Sequence, residues 1–448
     1  MARLFGTDGV RGLANAELTA ELALELGVAA GRKIAAGCEK GHRPRAIIGR
    51  DTRRSGEFLD HALAAGLASA GFDVNRIGIV TTPCVAHLTA SGDLDLGVMI
   101  SASHNPMPDN GIKFFARGGY KLPDAVEDDI ENLLHADWDR PTGEGVGRID
   151  EDPSELERDY VDHLVTAIGT DLKGLKIAVD CANGAASELG PWVLREAGAE
   201  VVVINASPNG SNINDGCGST HPEQLQAHVT ATGCDFGVAF DGDADRCLAV
   251  DAQGNLVDGD KIMGMLALDL KKRGELAGDT LVVTVMSNLG LLLAMRREGI
   301  RTVQTAVGDR YVLEEMLASG YVLGGEQSGH VICGRHATTG DGILTALFVA
   351  RAVKESGSTL AELTSFVKRL PQTLINVSNV DKHRTDDEKL REAIAHAEAE
   401  LGESGRVLLR ASGTEPLVRV MVEAATQDDA DAIAERLAAV VKDRLSLA

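Results

Sequence analysis

The sequence predicts an α/β fold of three successive α/β domains with mixed sheets, closed by a C-terminal α+β domain. Three observations carry this reading. Short apolar runs alternate with stretches of helical spacing in three consecutive rounds, the order of elements changes after Pro371, and each of the four segments holds one polar loop beside a strand. With 448 residues the chain is long enough for several domains of about 150 residues each.

The first round begins at residue 46 with AIIGR, a short apolar strand, then SGEFLDHALAAGLASAG at helical spacing, then DVNRIGIV and LGVMIS as strands. The second follows an acidic, proline-bearing connector and comprises KIAVDCANG, a helix near 185–197, EVVVINA, a helix near 222–232 and FGVAFD. In the third, TLVVTVMS and RTVQTAV are strands, each followed by a helix, before YVLGGEQ and HVIC. The architecture repeats while the letters do not.

Boundaries fall where the periodicity lapses. The first lies near 141–153, where Asp152 reads as an N-cap and Pro153 as the first residue of a helix with Leu156, Tyr160 and Leu164 on its apolar stripe. The others lie near 251–258 and near Pro371, giving domains 1–150, 151–254, 255–370 and 371–448. The last runs strand, helix over 384–402, strands RVLLR and LVRVMVEA, and a closing helix over 427–445.

Composition narrows the function classes. Hydrophobic residues make up 44% and charged ones 25%, which suits a globular chain rather than a disordered one. A formal charge of -23 repels polyanions, so neither nucleic acid nor an anionic membrane is an expected partner, and an anionic ligand must find a local cationic pocket. The N-terminus MARLFGTDGVRG has no apolar leader, and no run reaches the ~18 apolar residues of a membrane span, so a soluble cytoplasmic protein is expected. Seven scattered cysteines without C-x-x-C spacing are expected to be reduced and mostly buried.

In LGVMISASHNP the run Leu96 to Ile100 is a buried strand, so Ser101 to His104 fall at its carboxyl end, where open α/β sheets place ligands. Ser103 is a candidate nucleophile. There is no G-x-S-x-G elbow, and neighbouring residues of an extended chain point apart, so His104 is badly placed to take the proton of Ser103 and an acyl-transfer triad is not indicated. A hydrogen-bonded turn leaving a strand is the alternative. GVAFDGDADRC also ends an apolar strand, in Asp241, Asp243 and Asp245, whose period-two spacing brings carboxylates to one side where they repel unless a cation sits among them. An EF-hand does not fit, because Arg246 stands where its loop needs glycine and Ala252 where it needs glutamate. Octahedral Mg²⁺ held by three carboxylates calls for a phosphate oxygen or waters to complete it.

GGEQSGH (Gly324 to His330) offers a carboxylate, a hydroxyl and an imidazole, which suits sugar hydroxyls and a nearby proton transfer. RASGTEPLVR (Arg410 to Arg419) places Ser412, Gly413 and Thr414 between two arginines able to clamp a phosphate. Each could be a plain turn taken singly. Together the four loops describe phosphoryl transfer on a sugar phosphate.

The same residues resemble the α-D-phosphohexomutases over essentially the whole chain, and most closely their bacterial branch that acts on glucosamine phosphates. The motifs are FGTDGVRG at 5–12, ISASHNP at 100–106, DNGIKFF at 109–115, GSTHPE at 218–223, DGDADR at 241–246, GEQSGH at 325–330 and RASGTEP at 410–416. Phosphomannomutase and phosphoglucomutase relatives differ at the serine motif, at Gln327 and at VGDRYV (307–312), where they tend to place His-Lys at the positions of Asp309 and Arg310.

The resemblance implies four domains around a central active-site cleft and a phosphoserine at Ser103. That group would pass to a hexosamine phosphate, giving glucosamine 1,6-bisphosphate as activator and intermediate between glucosamine 6-phosphate and glucosamine 1-phosphate, a supply line for UDP-N-acetylglucosamine and cell-wall synthesis. It further implies one Mg²⁺ per subunit on Ser103, Asp241, Asp243 and Asp245, with His104 and Arg246 at the phosphoserine. Lys113 and His330 would shuttle protons, with Arg11 as electrostatic support. Glu326 and Ser328 would bind the sugar, and Arg410, Ser412, Gly413, Thr414 and Arg419 the phosphate that is not transferred. Arg11, Lys113, Arg246, Arg410 and Arg419 would then form a basic pocket within an acidic surface, and a homodimer is implied.

Three rival readings use the same residues. A phosphomannomutase or phosphoglucomutase would differ only in substrate. A metal-dependent sugar phosphatase would need water at the phosphoserine and, usually, a histidine-rich metal site that the sequence lacks. A non-catalytic sugar-phosphate binder could dispense with Ser103 and the aspartates, all of which are present.

Overall fold

Apolar runs bounded by polar loops become the buried central strands of the fold. A computed structural model describes residues 3–6, 8–151, 154–412 and 416–447. The chain divides into two compact units, residues 1–286 with 300–365, and residues 287–299 with 366–448.

The first unit opens with β1 (Val10–Leu13), α1 (Ala20–Ala35), β2 (Arg45–Arg50), α2 (Ser55–Ser69), β3 (Asp73–Ile79), α3 (Thr82–Ser91), β4 (Leu96–Ile100), β5 (Asp109–Ala116), α4 (Asp124–Leu133) and β6 (Ile149–Asp150). Their six strands form one mixed sheet in the order β1-β5-β4-β2-β3-β6, parallel at β4-β2-β3 and antiparallel at β1-β5-β4. All five residues of β4 are buried, as a continuous apolar run requires of a strand covered on both faces.

Next come α5 (Ser154–Ile168), β7 (Lys176–Asp180), α6 (Ala186–Glu196), β8 (Glu200–Ile204), α7 (Glu223–Thr232), β9 (Phe236–Phe240), β10 (Cys247–Asp251) and β11 (Leu256–Val257). These strands order as β11-β10-β9-β7-β8, and β9 is again wholly buried. A third set follows: α8 (Gly259–Lys272), β12 (Thr280–Thr284), α9 (Leu289–Arg297), β13 (Arg301–Thr305), α10 (Asp309–Ser319), β14 (Leu323–Gly325), β15 (Val331–Cys333), α11 (Gly342–Ser356) and α12 (Leu360–Thr364). Its sheet orders as β13-β12-β14-β15, while α9 belongs to the second unit.

The second unit adds β16 (Gln372–Ser378), α13 (Glu388–Leu401), β17 (Arg406–Ala411), β18 (Leu417–Glu423) and α14 (Gln427–Leu445). Its antiparallel sheet, β16-β18-β17, carries a core of Val418, Val420 and Val422 packed with Leu390, Ile433, Leu437 and Val441 from α13 and α14. Glu423 closes that core with no exposed surface, accepting from Arg406 Nε (2.7 Å), Asn288 Nδ2 (3.1 Å) and the Leu289 amide (2.9 Å). Glu423→Ala leaves these donors without their buried anion, so it is expected to lower unfolding free energy by about 3–5 kcal/mol in urea titrations. A loss under 1 kcal/mol would refute that account.

The three α/β sheets and the closing α+β element follow the expected fold class. Several helices were not anticipated, and α3 shows why: seven of its ten residues are buried, so no polar face marks its period. Buried α11 escapes for the same reason. The expected helix over 384–402 starts later, at Glu388, because Asp387 caps it by accepting from the Leu390 amide at 3.2 Å. Asp152 and Pro153, read as the start of α5, lie outside the described residues, whereas Tyr160 and Leu164 face the core as expected. All seven cysteines are free, and only Cys38 is not fully buried. No helix among the described residues is long and apolar enough to cross a membrane.

Candidate active site

Ser103 sits just past the carboxyl end of β4, 1% exposed, with its backbone in the left-handed region at φ 53. A non-glycine residue held there stores strain that its surroundings must over-determine. They do so densely. The buried Arg53 donates to the Ser103 carbonyl (3.0 Å), to Asn105 O (2.8 Å) and to Pro106 O (2.6 Å), while Asn214 Nδ2 also reaches Ser103 O (2.9 Å). The Ser103 amide donates to Ser101 Oγ (2.9 Å), which donates to Asp51 Oδ2 (2.6 Å), itself held by Arg53 Nε (2.9 Å).

This backbone overturns one sequence expectation. Because Ser103 is left-handed rather than extended, the next side chain does not point away: His104 Nδ1 lies 3.3 Å from Ser103 Oγ. Burial, followed by Arg246 and Arg11, drives the His104 pKa down to about 4, so the ring is neutral near pH 7.

Ser103 Oγ donates to Asp241 Oδ2 at 2.6 Å. Asp241, Asp243 and Asp245 follow β9, each buried, and their ligand atoms lie within 4.8 Å of one another. They converge through a turn in which Ala244 is left-handed (φ 57), not through strand alternation as their spacing suggested. Gly242 permits the approach, since a Cβ there would stand 2.5 Å from the Ser103 carbonyl oxygen.

The fit to a hard divalent cation rests on more than proximity. Among the described residues, Asp243 Oδ1 and Asp245 Oδ1 are buried with no hydrogen-bond partner, as ligand oxygens left for an ion would be. The second Asp243 oxygen is taken by Thr82 Oγ1 (2.6 Å) and Lys113 Nζ (2.8 Å). Burial, then repulsion from Asp245 and Asp243, pushes the Asp241 pKa well up.

Lys113, on β5 and 2% exposed, also reaches Asp8 Oδ2 (3.0 Å) and Asp245 Oδ2 (3.9 Å). Burial opposes its charge, but Asp243, Asp8 and Asp245 outweigh that and hold its pKa above the usual lysine value. Arg11 pairs with Asp8 and donates to Ala102 O at 3.4 Å. Among the described residues, Arg11 Nε and Arg246 Nε are buried donors without an acceptor, a feature that favours an incoming anion.

The β14–β15 turn supplies the other candidates. His330 is 3% exposed, with Nδ1 3.6 Å from Asp245 Oδ2 and Nε2 3.6 Å from Asp309 Oδ2. Burial lowers its pKa, but Asp245 and Asp309 outweigh that and raise it. The Gly340 amide points at Nε2 from 3.1 Å, which fixes the neutral ring with its proton on Nδ1. Glu326 is half-buried and accepts from the Gly308 amide at 3.1 Å, while Ser328 is exposed.

In the second unit, Arg410 and Arg419 stand directly opposite in the β17–β18 ladder, with buried Ser412 at the strand end. Two like charges so placed repel unless an anion lies between them. Gly413 and Thr414 lie outside the described residues. Sequence reasoning assigned no role to Asp51, Arg53, Asn214 and Thr82, nor to Asp8, Lys121 and Asp309, although Asp8 lies in a quoted motif and Asp309 was noted as a departure. The first two follow β2, the parallel neighbour of β4, so the strand-end rule that found Ser103 could have found them.

Four profiles match the chain in order: Phosphoglucomutase/phosphomannomutase alpha/beta/alpha domain I at residues 2–140, domain II at 158–254, domain III at 258–370 and the C-terminal domain at 374–440. The chain therefore belongs to the phosphoglucomutase/phosphomannomutase family. A crystal structure of a member from Burkholderia thailandensis superposes with a TM-score of 0.83 at 26% identity, covering 99% of both chains. Within the family, relatives about 60% identical to this chain over its full length are phosphoglucosamine mutases. Those of Bifidobacterium animalis subsp. lactis and of a Nocardioides species are each 62% identical, with 100% of both chains covered.

Proposed function

We propose that this chain interconverts glucosamine 6-phosphate and glucosamine 1-phosphate by way of phosphorylated Ser103. The observation that carries the reading is the buried Ser103 hydroxyl, hydrogen-bonded to the first of three clustered aspartates. The resting enzyme would carry a phosphoryl group on Ser103 Oγ. The free sugar hydroxyl attacks that phosphorus, the bond to Oγ breaks, and glucosamine 1,6-bisphosphate forms. After the bisphosphate turns over, Ser103 Oγ attacks the phosphorus of the 6-phosphate, the bond from that phosphorus to the sugar oxygen breaks, and the sugar oxygen takes a proton as glucosamine 1-phosphate leaves and the serine regains its phosphoryl group.

Asp241, Asp243 and Asp245 would hold Mg²⁺, which supplies charge neutralisation for the phosphoryl group and the departing serine oxygen. His104 and Arg246 would contact the phosphoserine, and the Arg246 Nε, which faces Asp245 Oδ1 at 3.9 Å but makes no hydrogen bond among the described residues, supports that role. Lys113, His330 and Arg11 lie in one charged cluster suited to moving a proton to and from the sugar oxygen. Glu326 and Ser328 would bind sugar hydroxyls, and Arg410, Ser412 and Arg419, with Gly413 and Thr414, would take a phosphate. The near-complete burial of Ser103 favours transfer to sugar over transfer to water.

The test is a ³¹P NMR time course with glucosamine 6-phosphate, Mg²⁺ and a trace of the 1,6-bisphosphate, beside glucose 6-phosphate. A new anomeric phosphate signal is expected, at least tenfold slower from glucose 6-phosphate. Inorganic phosphate alone would make the protein a phosphatase; equal rates would make it a mutase of broader specificity.

A further inference from the structure

The sugar-binding turn and the Lys113 strand come from distant parts of the chain, yet one short segment binds both. Gly308 donates its amide to Glu326 Oε1 (3.1 Å), and the next carboxylate, Asp309, meets His330 Nε2 (3.6 Å) and Lys121 Nζ (2.6 Å). Lys121 in turn holds Asp8 Oδ1 (2.5 Å), and Asp8 holds Lys113 (3.0 Å). Lys113 and His330 both face Asp245, which closes a ring: Lys113, Asp8, Lys121, Asp309, His330, Asp245.

Two further contacts clamp the same joint. Arg310 pairs with Asp124 and donates to Leu122 O (2.5 Å), and Thr338 Oγ1 donates to Gly119 O (2.7 Å). The segment Gly119–Asp124, just after β5, is thus gripped from residues 309, 310 and 338. Neither Asp309 nor Arg310 is spent on solvent: their side chains are 19% and 18% exposed.

We infer that Lys121 and Asp309 are positioning residues, whose ion pair sets the separation of Lys113 and His330 across the site. The pair is largely shielded from water, and within the ring it joins the Asp8–Lys113 side to the His330 side, the other junction being Asp245. Without it, Asp8 can draw Lys113 away and His330 loses one of its two carboxylate neighbours. A displacement of about 1 Å at such a pair costs on the order of 10²-fold in rate. This inference rests on the proposed mutase reading for its kinetic consequence, but not for its geometric one.

The experiment is a double-mutant cycle of Lys121→Gln, Asp309→Asn and the combination, with Lys121→Arg as the conservative variant and circular dichroism as the folding control. Each single substitution is expected to lower kcat by about 10²-fold with KM for glucosamine 6-phosphate changed less than threefold. The double variant should be no worse than the poorer single one, because the two act as a unit. Lys121→Arg should retain at least a tenth of kcat. Independently of turnover, the ¹⁵N resonances of the His330 ring, assigned with His330→Gln, should shift in the same direction in both single variants.

Raised KM at unchanged kcat would overturn the inference in favour of direct substrate binding by Asp309. Additive losses, or a His330 spectrum unmoved by Lys121→Gln, would also overturn it. If the wild-type enzyme makes no anomeric phosphate, the mutase reading fails while the His330 spectrum still decides the positioning role.

Discussion

Ser103→Ala is expected to reduce turnover of glucosamine 6-phosphate by about 10⁴-fold or more, since the proposed reaction passes the phosphoryl group through its hydroxyl. The fold should survive. The substitution removes one hydroxyl, and the Asp241 oxygen that loses its 2.6 Å donor lies in a cluster suited to a cation. The backbone restraints from Arg53, Asn214 and Ser101 act on main-chain atoms of residue 103 and stay in place. Thermal unfolding should therefore shift only slightly, while intact mass spectrometry of the wild type, but not the variant, shows one added phosphate after incubation with the bisphosphate. Retained turnover in Ser103→Ala would exclude Ser103 as the carrier.

Under the proposed reading, removal of Mg²⁺ has the second large effect. Chelation should abolish turnover and lower the melting temperature, and both should return on adding Mg²⁺. An ion at one hundred times its dissociation constant stabilises the folded state by about 2.7 kcal/mol. Asp241→Asn separates this account from general salt effects. It removes one of three mutually repelling carboxylates, so the metal-free variant should be at least as stable as the metal-free wild type. It should also lose the Mg²⁺-dependent rise in melting temperature and about 10³-fold in turnover. A variant that still responds to Mg²⁺ would move the ion away from these aspartates.

Much of this site could be read from strand ends. Continuous apolar runs at Leu96–Ile100 and Phe236–Phe240 told where the buried strands stop, and the next polar residues are the ones that meet. What the letters could not give is the path between those ends. The left-handed turns at Ser103 and Ala244 put His104 against the serine and fold three aspartates together, and neither residue type announces such a backbone. Pairs distant in the chain were equally hidden: Lys121 and Asp309 stand 188 residues apart. The departure at Asp309 from the His-Lys expected of phosphomannomutase and phosphoglucomutase relatives was visible, but its partner was not. Helix α3 went unread because burial of seven of its ten residues weakens the amphipathic signal.

The left-handed backbone at Ser103 also narrows the choice of nucleophile. Threonine offers the same hydroxyl, yet its branched Cβ crowds the following carbonyl at positive φ. Shape, then, rather than reactivity, reserves the position for an unbranched side chain, and the chemically equivalent alcohol is shut out by a methyl group.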